Sequence, residues 1–138
     1  MKRWQVGDAF TEARTIGPAE VALFCDLVGD HNPIHFSENA ARAAGFSGPI
    51  AHGMVAGSLF SQILGNHLPC PGSVYLQQSF NFSAPIYIPS DVRLTVEVVA
   101  VRSDQKIITV RTTCYDVDGV VCLDGEAVLL RRDISRQK

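Results

Sequence analysis

The sequence predicts an α+β fold, a curved antiparallel sheet wrapped around a long helix. Apolar residues recur at helical spacing in the first half, β-branched and aromatic runs fill the second, and short polar turns separate those runs. Gly17-Pro18-Ala19-Glu20 opens a first helix, with proline in the first turn and Val21, Phe24, Cys25 and Val28 at helical spacing. Gly29 can end it, which leaves Asp30 beyond the negative end of the helix, a poor place for a charged carboxylate. Asn32-Pro33 interrupts any helix between Asp30 and His35, because proline lacks the backbone donor and biases its predecessor away from helical dihedrals. Ser37 can cap a second short helix through about Ala44, and Gly45-Phe46-Ser47-Gly48-Pro49 reads as a loop.

His52-Gly53 leads into the third helix, Met54 to Gly65. Val55, Leu59 and Ile63 form one apolar row and Phe60 and Leu64 another, while Ala56, Gly57, Ser58 and Ser61 are small, so neighbours can enclose this helix closely. Strands are expected from Val74 to Phe82, Val92 to Val101, Ile107 to Val117 and Val120 to Leu130, with alternation clearest in Val92-Leu94-Val96-Val98. Ser103-Asp104-Gln105 and Asp118-Gly119 suit antiparallel hairpins. Asp8 to Thr15 can add a further strand.

The 138 residues, 46% hydrophobic and 19% charged, suit a single domain over 1–138 that buries its own core. A formal charge of −2, with no dense basic stripe, argues against nucleic acid or anionic membrane as partner. The first residues lack the apolar core of a signal peptide, and no apolar run approaches the roughly 18 residues that span a bilayer. Cys25, Cys70, Cys114 and Cys122 form no CxxC pair and no zinc-like spacing with histidine. Reduced thiols in a cytoplasmic protein are the expectation.

Gly29-Asp30-His31-Asn32-Pro33-Ile34-His35 carries the candidate chemistry, with His52-Gly53 following seventeen residues after His35. A carboxylate and an imidazole that reach one water can move protons near neutral pH. On spacing alone, Asp30 also suits a turn residue and His35 a satisfied loop histidine. His31 reads as a surface histidine and His67 as a loop histidine, while His52 suits lining a substrate tunnel or, better, fixing the turn before Gly53. Asp30, His31, His35 and His52 offer metal-ligating atoms, but no helical histidine pair or chelating repeat accompanies them, and neither metal nor cofactor is expected.

Three stretches, Phe24-Cys25-Asp26-Leu27-Val28-Gly29-Asp30-His31-Asn32-Pro33-Ile34-His35, Pro49-Ile50-Ala51-His52-Gly53-Met54 and Gly72-Ser73-Val74-Tyr75-Leu76-Gln77-Gln78-Ser79-Phe80, resemble the MaoC-type, (R)-specific enoyl-CoA hydratase family. The resemblance implies a hotdog fold, a homodimer and a tunnel for an acyl-CoA near the subunit interface. It implies reversible addition of water to a trans-2-enoyl thioester, with Asp30 and His35 as the acid–base pair. The Gly53 backbone N–H would meet the thioester oxygen, Ser61 would orient the aspartate, and Asn32 would shape the loop. No cofactor is implied. Leu68, Leu76 and Phe82 are candidates for closing the tunnel. The same resemblance leaves open an acyl carrier protein thioester as substrate, acting as a dehydratase of fatty-acid synthesis. Thioester hydrolysis and a non-catalytic acyl-thioester binding module are further alternatives, weakened by the Asn-Pro-x-His element and by the presence of both Asp30 and His35.

Overall fold

The structure, a computed structural model, describes residues 2–68 and 72–132. Along the chain run β1 (Ala9–Ile16), α1 (Pro18–Val28), a 3-10 turn (Pro33–His35), α2 (Glu38–Ala43), α3 (Gly53–Asn66), β2 (Ser73–Gln78), β3 (Asn81–Phe82), β4 (Ser90–Val101), β5 (Ile107–Tyr115) and β6 (Val121–Arg131). The strands make one six-stranded sheet in the order β1-β4-β5-β6-β2, with β3 also paired to β6, and every pairing is antiparallel.

Helix α3 lies against this sheet because the two surfaces match in chemistry and in relief. Val55, Ala56, Phe60, Ile63 and Leu64 are buried on the helix, and Val92, Leu94, Val96 and Val98 form the alternating buried row of β4. Ile108 and Val110 of β5 and Leu123 and Leu129 of β6 join the same core. The small residues of α3 allow the close approach: a Cβ on Gly57 would stand 2.9 Å from the Phe80 ring. This is the curved sheet around a helix expected from the alternation and the small-residue helix, and the hotdog fold that the family resemblance implies.

Local signals end the helices as the residues require. Gly29 takes φ 77, the left-handed region that glycine enters without strain, and donates its N–H to the Cys25 carbonyl to close α1. Ser37 accepts the Ala40 amide at 3.2 Å and caps α2.

One expected strand is divided. Val74 to Phe82 splits into β2 and β3, because Ser79 and Phe80 cross directly over Gly125 of β6; a Cβ on Gly125 would meet the Ser79 carbonyl oxygen at 1.8 Å. The strand ending in the Asp118-Gly119 turn stops at Tyr115, where Asp116 turns to accept the Asp118 and Val120 amides with its own side chain. Met54 to Gly65 gains one residue at each end.

Candidate active site

The Asp30–His35 segment is built by its own turn. Asn32 caps the 3-10 turn by accepting the Ile34 amide, with Pro33 in first position. The Asn32 amide in turn donates to Asp30 Oδ1 at 3.0 Å. One carboxylate oxygen is therefore held by the loop and Oδ2 is left to face elsewhere. What reads as an irregular loop in the sequence is thus a single tight turn that aims both side chains.

Two contacts to the strand-like segment before α3 fix the imidazole of His35. The Ile50 amide donates to the Ile34 carbonyl at 3.2 Å, and His35 Nδ1 donates to the Ile50 carbonyl at 2.7 Å. A carbonyl oxygen only accepts, so Nδ1 carries the hydrogen and Nε2 presents its lone pair. That lone pair lies 3.9 Å from Asp30 Oδ2. The gap is too long for a direct hydrogen bond and suits one water bonded to both atoms.

Gly53 is the first residue of α3, so its N–H is one of the four amides without an intrahelical acceptor, at the positive end of the helix. His35 and Gly53 line the same cavity of about 390 Å³, together with Phe46, Ile50, Phe82 and Ile86. The Phe82 ring lies over Gly53: a Cβ there would stand 2.6 Å from it. Of the three tunnel candidates, Phe82 lines this cavity, Leu76 lines a separate groove beside α3, and Leu68 is buried in the core.

The remaining predicted residues scatter. Ser61 lines the groove formed with Met54, Gly57, Tyr75, Leu76 and Phe80, two turns of α3 away from Gly53, and within one chain it is not brought to Asp30. His31 turns to Cys25, whose thiol lies 3.1 Å from its Nδ1, and the Cys25 thiol is pushed up by burial and then by Asp26 and Asp30. His67 stacks on Phe10, with ring centroids 4.4 Å apart. Cys25, Cys114 and Cys122 are free and buried, and Cys70 lies outside the described residues.

His52, expected to fix the turn before Gly53, also reaches the Asp30 carboxylate. Its Nε2 lies 3.9 Å from Asp30 Oδ2, so Asp30, His35 and His52 bring one ligating atom each within 4.8 Å of one another. A tetrahedral zinc site, with bonds of about 2.0–2.2 Å, would draw neighbouring ligand atoms to roughly 3.4 Å. The observed spacing from Oδ2 is 3.9 Å to Nε2 of His35 and 3.9 Å to Nε2 of His52.

A central helix enclosed by an antiparallel sheet, with a paired carboxylate and imidazole beside the helix start, defines a hotdog-fold protein. The chain belongs to the MaoC-like domain family, whose description, MaoC like domain, matches residues 5–119. It is 41% identical over 125 residues to the (R)-specific enoyl-CoA hydratase of Aeromonas caviae, covering 91% of this chain and 93% of that protein. It is 40% identical over 116 residues to the 3-hydroxybutyryl-CoA dehydratase of Methylorubrum extorquens, covering 84% of this chain and 73% of that protein. Among solved structures it is similar to the (R)-hydratase from A. caviae involved in PHA biosynthesis, with a TM-score of 0.89 and 40% identity over 94% of this chain and 98% of that one.

Proposed function

We propose that this chain is a hydro-lyase, an (R)-specific enoyl-CoA hydratase that interconverts trans-2-enoyl-CoA and (R)-3-hydroxyacyl-CoA without a cofactor. The observation that carries this reading is the 3.9 Å separation of Asp30 Oδ2 and His35 Nε2 beside an apolar cavity that also contains Gly53. A water between the two side chains is deprotonated as its oxygen bonds to C3 of the enoyl group. The C2–C3 π electrons move toward the thioester, and its oxygen gains negative charge. The Gly53 N–H and the start of α3 stabilise that charge, the kind of preorganised contribution that is usually the largest in such steps. The proton held by the Asp30–His35 pair then passes to C2, so both hydrogens of the water end in the product. Water and proton come from one side of the double bond, which is a syn addition. Asn32 supports the reaction by shaping the turn that aims both groups.

Incubation with crotonyl-CoA, following the conjugated-enoyl absorbance and free thiol together, tests the reading. Loss of absorbance without thiol release is expected, with a product oxidised by an (R)-specific 3-hydroxyacyl-CoA dehydrogenase. Thiol release would assign a thioesterase, and a chain inert toward several acyl lengths would be a binding module. Faster turnover of the acyl carrier protein thioester would make the carrier protein the substrate.

A homodimer belongs to the same reading. The Asp30 side chain is 49% exposed in the isolated chain, whereas an acyl tunnel needs a site shielded from water. Strand β2 is a sheet edge with apolar Val74, Tyr75 and Leu76 exposed, and an uncovered apolar edge pairs readily with another strand. A second copy over this edge and the Ser61 groove would supply the cover. Leu76→Lys, at 55% exposure, is expected to shift the protein from dimer to monomer in light-scattering chromatography and to lower turnover. An unchanged dimer would remove β2 from the interface. The single domain spans 1–138, and the buried free thiols suit a reducing compartment such as the cytoplasm. No helix of the described residues is long and apolar enough to cross a membrane.

A further inference from the structure

His52 stands immediately before the oxyanion glycine, and its side chain reaches back 22 residues to the candidate base. It is only 4% exposed. Its Nε2 lies 3.1 Å from the Asp30 carbonyl oxygen, which can only accept, so Nε2 carries the hydrogen and donates it. Its Nδ1 is buried without a partner among the described residues. The ring is also stacked on that of His35, with centroids 3.7 Å apart and planes 29° from parallel, and Phe24 closes in on it at 5.0 Å. At the other end, the His52 carbonyl accepts the Val55 amide at 2.9 Å and so forms part of the first turn of α3.

One residue therefore touches every part of the proposed reaction centre. Its side chain holds the main chain of Asp30, its ring face limits the tilt of His35, and its backbone starts the helix that presents the Gly53 N–H. Neither of the other two contacts between these segments does this: the Ile34–Ile50 and His35–Ile50 bonds fix His35 but leave the Asp30 main chain free. We propose that His52 is a positioning residue for hydration, whose hydrogen bond to the Asp30 carbonyl sets the distance from the carboxylate to the oxyanion donor. The proposal rests on the hydratase reading. Its energetic reason is that a misplacement of about 1 Å at a reacting group costs on the order of a hundredfold in rate.

Two substitutions separate the hydrogen bond from the packing. His52→Phe keeps an aromatic ring against His35 and removes the donor; His52→Gln keeps an N–H of similar reach and removes the ring. With crotonyl-CoA, His52→Phe is expected to lose at least about 30-fold in kcat with KM changed by less than about threefold, at wild-type circular dichroism. His52→Gln is expected to recover at least about tenfold of that loss. Wild-type kcat in His52→Phe would overturn the proposal, as would equal losses in the two folded variants, which would assign the effect to packing. Should His52→Phe not fold, His52→Gln decides: a folded variant as impaired as His35→Gln overturns the proposal, and one within about tenfold of wild type upholds it. If the wild-type chain itself does not hydrate crotonyl-CoA, the hydratase reading fails first; an active wild type with an undiminished His52→Phe defeats only the role of His52.

Discussion

Asp30 and His35 each offer a single free atom to the site. Oδ1 of Asp30 is engaged by the Asn32 amide and Nδ1 of His35 by the Ile50 carbonyl, which leaves Oδ2 and Nε2 unengaged and 3.9 Å apart. Asp30→Asn and His35→Gln keep size and hydrogen-bonding shape while removing the basic atom. Each is expected to lower crotonyl-CoA turnover by at least about a hundredfold with the fold intact, the range of a general acid–base contribution. Steady-state kinetics beside a thermal melt checks this, and near-wild-type activity in either folded variant would remove that residue from the mechanism. The closeness of the two side chains was legible in the sequence because both belong to one local turn, where Asn-Pro enforces the geometry, and their role came from the family resemblance. The reach of His52 was not, since its hydrogen bond to Asp30 and its stack on His35 exist only after two segments have folded together. A sequence neighbour of Gly53 carries no mark of where its ring points.

Among the elements, β6 carries the tightest constraint. Ser79 is bound to Glu126 in both directions, its amide donating to the Glu126 carbonyl at 2.9 Å and its hydroxyl accepting the Glu126 amide at 3.1 Å, so the crossing segment cannot withdraw from Gly125. Gly125→Ala would place a methyl group 1.8 Å from a backbone oxygen. The expected cost is about 3 kcal/mol or more, from the forced backbone shift. Gly65→Ala, on α3 with open space at the Cβ, is expected to be neutral or to gain up to about 1 kcal/mol from helix propensity. Urea unfolding of the two variants checks the contrast, and equal stabilities would refute it. The same crossing explains why β2 and β3 read as one strand in the sequence. The run from Val74 to Phe82 has strand composition throughout, and nothing in it signals that Gly125, far along the chain, admits a backbone over its face. The alternating row of β4 has no such intrusion and matches its expectation closely.

The molecule as a whole buries groups that resist ionisation. Burial pushes the Cys114 thiol from its ordinary 9.0 up to about 12, with Cys122 and Asp116 adding to the effect. Burial likewise raises Cys122. In the unfolded chain these groups release their protons near their ordinary values, so between about pH 9 and 12 the unfolded state holds fewer protons than the folded one. Stability is thus fully present below pH 9 and falls as pH rises through that window. Melting temperatures measured from pH 7.5 to 10.5 are expected to hold and then decline, with Cys114→Ala declining less steeply once its own packing loss is subtracted. A flat profile would show that these side chains are open to solvent. None of this was readable from composition, because the cysteines declare their burial only once the sheet has closed on the helix.

The cavity draws its walls and its reactive atoms from different stretches of chain. In the proposed reaction proton transfer falls to Asp30 and His35 and the oxyanion contact to Gly53, whereas Phe82, Ala84, Ile86, Cys122 and Leu123 are among the other residues that line the cavity. On that reading acyl preference is separable from proton transfer. A mutational library confined to Ala84, Ile86, Cys122 and Leu123 is expected to retune acyl preference while Asp30, His35 and Gly53 stay fixed, and the same division would let a lineage diverge in substrate without first losing its reaction.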